Sequence, residues 1–63
     1  MGTIARLFLE RDQGFITSSD GREIYFHRTN VTGAGFDSLS VGNVIHYIEE
    51  KDDPGPQASI VYP

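Results

Sequence analysis

Short apolar segments follow one another along this chain, and none of them shows the helical period of roughly 3.6 residues. Each segment is rich in β-branched or aromatic residues and is bounded by glycine, proline or small polar residues, which is the pattern of a β-strand. The sequence therefore predicts five strands, at Ile4–Leu9, Gly14–Thr17, Glu23–Arg28, Val44–Glu49 and Ala58–Tyr62.

The third predicted strand has the clearest alternation. Successive side chains of a strand point to opposite faces, so Ile24 and Phe26 share one face and Tyr25 and His27 share the other. The aliphatic and phenyl side chains mark the core face. The tyrosine and the histidine are therefore expected on the outer surface.

The connections between the strands contain strong turn signals. Asp20-Gly21 predicts a hairpin with both turn residues at positive φ. Thr29–Gly42 contains three glycines and predicts a long connection with at most one short helical turn. Lys51–Pro56, with two prolines and a glycine, predicts a loop. Short strands joined in this way, with no helix of useful length, predict an all-β fold, either a small barrel or a sandwich.

The predicted core follows the same alternation, and its least certain part is the fourth strand. There Ile45 and Tyr47 are expected inside and Val44 and Ile48 outside, and a shift of one residue would exchange the two pairs. The complete predicted core consists of Ile4, Leu7, Ile16, Ile24, Phe26, Val31, Leu39, Ile45, Tyr47 and Val61.

Composition and charge narrow the function. Sixty-three residues predict a single domain, residues 1–63, and the sequence contains no cysteine for a disulfide. No apolar run approaches the roughly 20 residues that span a bilayer, so we expect a cytoplasmic protein without a membrane partner. The net charge of −4 argues against a protein that binds phosphate over its whole surface. A local basic patch remains compatible with it, because the first half carries four of the five basic residues, Arg6, Arg11, Arg22 and Arg28.

The outer face of the third strand has the chemistry of a base-stacking surface. Tyr25 and His27 present flat π-systems there, and Phe15 on the neighbouring strand extends them. Bases stack on such rings with little sequence preference, because every base has a π-face. Aromatic residues are also enriched in strands for ordinary packing reasons, so composition alone leaves both interpretations open.

The order of the motifs resembles that of the cold-shock domain family, from Gly2 to Val61. Two motifs resemble the ribonucleoprotein motifs of that family, and the others resemble its hairpin, its long connection and the entry to its last strand. In chain order these are Gly14-Phe15-Ile16, Asp20-Gly21, Ile24-Tyr25-Phe26-His27, Gly35-Phe36 with Leu39 and Gly42, and Gly55-Pro56-Gln57-Ala58. The resemblance implies a five-stranded antiparallel Greek-key β-barrel of the OB type that binds single-stranded RNA or DNA.

The resemblance also implies the residues that contact nucleic acid. Phe15 and Tyr25 would stack on bases, and His27 would stack on a base or form a hydrogen bond to one. Phe36 would stack on a further base from the loop beside the sheet. Gln57 would contact base edges.

Three parts of the chain depart from the family pattern. Ala5-Arg6-Leu7 stands where these domains usually carry Lys-Trp-Phe, Gln13 replaces one aromatic ring of the platform, and Arg28 replaces the aromatic after the histidine. Arginine both stacks on bases and attracts phosphate, whereas glutamine only forms hydrogen bonds. We therefore expect Arg6, Gln13 and Arg28 to take part in binding. The binding should be weaker than in a typical member of the family, and the electrostatic contribution to it should be larger.

Alternative functions fit the sequence less well. Two histidines and no cysteine make a zinc site at His27 improbable, no cofactor is expected, and nothing has the pattern of a catalytic acid–base pair or nucleophile. The main alternative is a protein-interaction module on the same barrel. Two segments, Gly21–Arg28 and Gly55–Ser59, resemble cold-shock domains attached to ribosome-hibernation-type proteins. This resemblance makes the ribosome a candidate partner. The domain is expected to be monomeric, and the sequence leaves open whether it is a whole protein or part of a larger one.

Overall fold

The computed structural model is a closed five-stranded barrel with strand order β1-β2-β3-β5-β4, and it describes residues 1–33, 35–52 and 55–62. The strands are β1 Gly2–Phe8, β2 Gln13–Ser18, β3 Glu23–His27, β4 Val44–Asp52 and β5 Gly55–Tyr62. Three short 3₁₀ helices lie between strands, at Leu9–Arg11, Arg28–Asn30 and Gly35–Ser38, and the described residues contain no α-helix. The prediction of an all-β barrel is confirmed.

The neighbouring strands pair antiparallel except β3 and β5, which run parallel and are paired at Tyr25 and Gln57. The segment after β3 adds further links to β5. Val31 forms a bridge to Val61, and the backbone N–H of Thr32 donates to the carbonyl of Val61 at 3.1 Å.

The strand boundaries differ from the predicted ones at several ends. Leu9 begins a 3₁₀ helix and Arg28 begins another, so neither extends its strand. The predicted loop at Lys51–Pro56 is mostly strand, because β4 continues to Asp52 and pairs there with Gly55. Proline is tolerated near the first residue of a strand, which explains why Pro56 does not prevent the pairing. Residues 53–54 of that predicted loop lie outside the described residues.

The hairpin between β2 and β3 forms where it was predicted, but with a different turn. Only Gly21 has positive φ, at 89°, so the expectation that Asp20 shares this conformation is wrong. The N–H of Gly21 donates to the carbonyl of Ser18, and the N–H of Ser18 donates to the carbonyl of Arg22. This pattern leaves three residues in the loop and requires one left-handed residue rather than two.

The core contains eight of the ten predicted residues and two that were not predicted, Phe36 and Ala58. Leu7 and Tyr47 pack against it while remaining partly exposed. In β4, Ile45 is buried and Val44 and Ile48 are exposed, so the predicted register of the fourth strand is confirmed.

One extra residue in β1 determines which of its side chains reach the core. Ile4 pairs with Ile16, but Arg6 pairs with Phe15, so Ala5 has no partner of its own and forms a bulge. Plain alternation from the buried Ile4 would turn Arg6 inward. The bulge instead turns Arg6 outward and brings Leu7 against the core.

Candidate nucleic-acid interface

Two rows of side chains cross the outer surface of the sheet. The first row follows the register of four strands and consists of Arg6 on β1, Phe15 on β2, Tyr25 on β3 and Gln57 on β5. The second consists of Phe8, Gln13 and His27 on β1, β2 and β3. Every predicted site residue except Arg28 and Phe36 therefore lies in one of these rows.

Phe15, Tyr25 and His27 form what we call the aromatic platform. The Phe15 and Tyr25 rings meet edge to face, with centroids 5.8 Å apart and an interplanar angle of 66°. All three side chains are partly exposed, while Ile24 and Phe26, which alternate with them on β3, are fully buried. The predicted orientation of the third strand is thus confirmed.

Gln13 extends the platform by a polar contact in place of a ring. The Tyr25 hydroxyl donates to Gln13 Oε1 at 3.4 Å, near the upper limit for a hydrogen bond. Gln13 also pairs with His27 across the two strands. An amide at this position can offer both a donor and an acceptor to a base edge.

His27 is held in place by the 3₁₀ helix that follows it. The N–H of Thr29 donates to His27 Nδ1 at 3.2 Å, and the N–H of His27 donates to Asn30 Oδ1 at 2.8 Å. Because Nδ1 accepts a hydrogen bond, the neutral ring carries its proton on Nε2. The histidine therefore offers a fixed ring with Nε2 as its donor.

The Arg6 guanidinium lies over one face of Phe15, with its central carbon 4.7 Å from the ring centroid. One nitrogen of the same guanidinium is 2.7 Å from each carboxylate oxygen of Glu23. Arg6 thus covers part of the platform, and its charge is balanced by a neighbouring carboxylate.

Arg28 repeats this arrangement at the other end of the site. Its guanidinium lies 4.5 Å from the Phe36 centroid and contacts Asp12 at 3.0 Å and Asp37 at 2.9 Å. Hydrogen bonding to Asp37 and then to Asp12 raises the pKa of Arg28 further above its ordinary range, and Arg28 lowers the pKa of Asp37. Since Arg6 and Arg28 already have carboxylate partners, the structure does not favour the expected larger electrostatic contribution.

Phe36 does not lie where the sequence analysis placed it. Its ring is 1% exposed and packs edge to face against Phe26 at a centroid distance of 6.2 Å. The 3₁₀ helix Gly35–Ser38 turns the ring inward, and Arg28 covers it from one side. The prediction that a base stacks on Phe36 is therefore wrong for this conformation, because the ring is buried in the core.

Phe8 is the surface ring that the sequence analysis missed. It is 36% exposed, and it meets Phe15 edge to face at 6.2 Å and 87°. A strand with regular alternation would place Phe8 on the same face as Ile4, so only the bulge at Ala5 brings it to the outer surface. A bulge leaves no clear signal in one sequence, although the inward spacing of Ile4 and Leu7 was compatible with one.

The described residues contain no group of three or more histidine, cysteine, aspartate or glutamate side chains placed to hold a metal ion. Within residues 1–33, 35–52 and 55–62, no helix is long and apolar enough to cross a membrane.

A small closed barrel with exposed rings on adjacent strands defines the class of OB-type domains, several of which bind single-stranded nucleic acid. The whole chain, residues 1–63, matches the model of the "cold-shock" DNA-binding domain. It is 37% identical over 62 residues to cold shock protein 2 of Lactiplantibacillus plantarum, covering 98% of this chain and 94% of that protein. It is 36% identical over 52 residues to the cold shock-like protein CspE of Bacillus anthracis, covering 82% and 78% of the two chains. The chain therefore belongs to the cold-shock domain family, a family of nucleic-acid-binding proteins rather than enzymes.

Proposed function

We propose that this protein binds single-stranded RNA or DNA by stacking bases on the aromatic platform. The observation that carries the proposal is the pairing of Phe15 with Tyr25 across β2 and β3, beside His27, with all three side chains on the outer face. Each base stacked on such a ring contributes about 1–3 kcal/mol. Gln13 and Gln57 flank the rings and supply hydrogen bonds to base edges.

The platform should bind more weakly than one with a full set of rings. Gln13, Arg6 and Arg28 stand where the family pattern has aromatic residues, and both arginines are already paired with carboxylates. A phosphate must compete with those carboxylates, so we propose binding that depends on stacking more than on charge. The biological role that we propose is RNA-chaperone or regulatory binding, which membership of the family supports. The proposed acting unit is a monomeric cytoplasmic domain, residues 1–63.

A protein-interaction role, with the ribosome as one candidate partner, is the second function. Three observations favour it, and the first two, the net charge of −4 and the carboxylate partners of the platform arginines, weaken attraction to phosphate. The third is that Val44, Ile48 and Tyr62 are exposed apolar side chains on β4 and β5, where they provide surface for a protein contact.

Titration with a single-stranded oligouridine of about six nucleotides, and with a duplex of equal length, tests the proposed function. The single strand should bind and the duplex should not, because paired bases are not free to stack on the rings. Tyr25→Ala should weaken binding by about 1–3 kcal/mol with little change in stability, since the ring is on the outer face.

Tyr62→Ala is the matched control, because Tyr62 is an exposed tyrosine on β5 that pairs with His46, away from the platform. It should bind like the parent protein. Equal affinity for single strand and duplex, or equal losses in the two tyrosine variants, would contradict the platform, and absence of any binding would favour the protein-interaction function.

A further inference from the structure

A groove lies beside the platform at the end of β1. It is lined by Phe8, Leu9, Glu10 and Arg11 and has a volume of about 430 Å³, within the range of small-ligand sites. Phe8 and Leu9 are 36% and 61% exposed, so they present adjoining apolar surface to a ligand in the groove.

The groove is formed by the 3₁₀ helix Leu9–Arg11, which joins β1 to β2. Asp12 ends this helix in the left-handed conformation, at φ 55° and ψ 38°, and its N–H donates to the carbonyl of Leu9 at 3.3 Å. Arg28 fixes Asp12 from the other side, because its backbone N–H donates to the Asp12 carbonyl at 2.7 Å and its Nε donates to the carboxylate at 3.0 Å. The helix that forms the groove is therefore held between β1 and β2 and fixed by the residue that follows β3, next to the strands that carry the platform.

The four arginines differ in their partners. Arg6, Arg22 and Arg28 each form ion pairs with carboxylates at 2.6–3.0 Å. Among the described side chains, Arg11 forms no such pair, and it is exposed at the rim of the groove. Arg11 is therefore the arginine whose charge is available to a phosphate without displacement of a carboxylate.

We propose that this groove is a further nucleotide subsite, in which one base packs on Phe8 and Leu9 and a phosphate contacts Arg11. The edge-to-face contact of Phe8 with Phe15 makes the groove continuous with the platform, so one strand can occupy both. The occupant is thus an additional nucleotide of the strand bound on the platform. The subsite rests on the proposed function. It adds a binding position for one nucleotide beyond the platform, at residues that the sequence analysis did not assign to the site.

Oligouridines of about four to eight nucleotides, titrated against the parent protein and Phe8→Ala, test the subsite. Oligouridines too short to reach from the platform into the groove should bind both proteins with equal affinity. Longer strands should bind Phe8→Ala about fivefold or more weakly, since one stacking contact is lost. Phe8→Leu retains an apolar side chain without the ring, and it should show the same dependence of affinity on strand length. This second variant keeps the test valid if Phe8→Ala impairs folding. Circular dichroism would check the folding of both variants.

Two substitutions of Arg11 test the phosphate contact. Arg11→Gln should reduce the salt dependence of binding to long strands by about 0.7 in the slope of log K against log salt, the value for one phosphate on a single strand. Arg11→Lys, which keeps the charge, should retain the slope.

The outcomes separate the subsite from the platform. If Phe8→Ala weakens binding equally at every length, Phe8 only positions Phe15 and the subsite is excluded. The same conclusion follows if long strands bind parent and variant alike while the parent still prefers single strands, and the proposed function then remains. Failure of the parent protein to bind any single strand contradicts both proposals.

Discussion

Arg6 makes two contacts, and each of them competes with a bound nucleic acid. Its guanidinium covers Phe15 at 4.7 Å, where a base would stack, and its nitrogen contacts the Glu23 carboxylate, where a phosphate would compete. Both side chains of the ion pair are 51% exposed, so water and salt weaken the pair. Glu23 therefore acts as an internal competitor of the ligand at this position.

Glu23→Gln should raise the affinity for oligouridine by about two- to fivefold, because an exposed ion pair contributes about 0.2–1 kcal/mol. Loss of the carboxylate frees Arg6 to contact phosphate and uncovers Phe15 more often. Fluorescence titration of a labelled strand at low and moderate salt would measure the change, and the salt dependence should become steeper.

Glu50→Gln controls for the loss of one negative charge, since Glu50 pairs with Gln57 at the far end of the same row. In an Arg6→Ala background, Glu23→Gln should add no more than this control does, as expected if the two residues act through each other. An equal gain with and without Arg6 would show that Glu23 acts only through the net charge.

Prediction from sequence was accurate for single residues whose environment depends on one strand. Tyr25 and His27 were placed outside because Ile24 and Phe26 beside them are apolar, and the alternation holds. The position of Phe36 depends on a 3₁₀ helix that turns its ring onto Phe26, a long-range contact that periodicity does not report. The partners of Arg6 and Arg28 were missed for the same reason, because each is far away in sequence.

At the scale of strands, the bulge at Ala5 and the glycine opposite β1 work together. Gly14 pairs with Leu7 on β1 and with Phe26 on β3, at the centre of three adjacent strands. A Cβ at Gly14 would lie 2.7 Å from Phe26 Cζ and 2.9 Å from the carbonyl oxygen of Arg6. The missing side chain thus lets the core ring and the bulged strand approach each other.

Gly14→Ala should lower the free energy of unfolding by about 1–3 kcal/mol, the usual cost of overpacking a close-packed site. The Arg6 oxygen belongs to the backbone, so relief requires β1 to move rather than a side chain to rotate. Urea denaturation would measure the loss, with Ser19→Ala in the exposed hairpin turn as the control. An unchanged urea midpoint for Gly14→Ala would mean that β1 and β2 are not packed as closely as described here.

The number of strands and their succession along the chain could be predicted because glycine and proline mark the connections between apolar segments. The ends of the strands could not, as β4 and β5 show. Lys51 and Pro56 pair across a hairpin that composition alone presents as a loop. Cross-strand pairing, which a single sequence does not display, determines where these two strands stop.

At the scale of the whole molecule, two groups of ion pairs connect segments that are distant in sequence. Arg22 joins Asp20 in the β2–β3 turn to Glu49 on β4, with contacts of 2.9 and 2.6 Å. Arg28 joins Asp12, after the first 3₁₀ helix, to Asp37 in the third. Hydrogen bonds from Ser18 and then Arg22 lower the pKa of Asp20, and a hydrogen bond from Arg28 lowers the pKa of Asp37.

Acid should therefore destabilise the barrel. A carboxyl whose pKa is lower in the folded protein stabilises it above the ordinary value of 3.8, and this contribution is lost as the pH falls through 3.8 toward the folded value. Urea denaturation at about pH 6 and about pH 3 should show a smaller loss for Asp37→Asn than for the parent protein. Glu10→Gln is the control, since Glu10 forms none of the ion pairs found among the described residues, and it should lose as much stability as the parent.

The junction of β3 and β5 has a mechanical consequence for ligand binding. β1, β2 and β3 form one continuous meander, and β4 and β5 form a separate hairpin. The two halves meet at β1 and β4 and again at the seam between β3 and β5, where Tyr25 pairs with Gln57. The tyrosine that offers its ring to a base thus lies, by its backbone, on this seam. A nucleic-acid strand bound by Tyr25 and Gln57 together would stabilise the contact between β3 and β5, because a ligand that binds only the folded protein stabilises it. Bound nucleic acid would then stabilise the association of the two halves of the barrel as well as being the ligand of the protein.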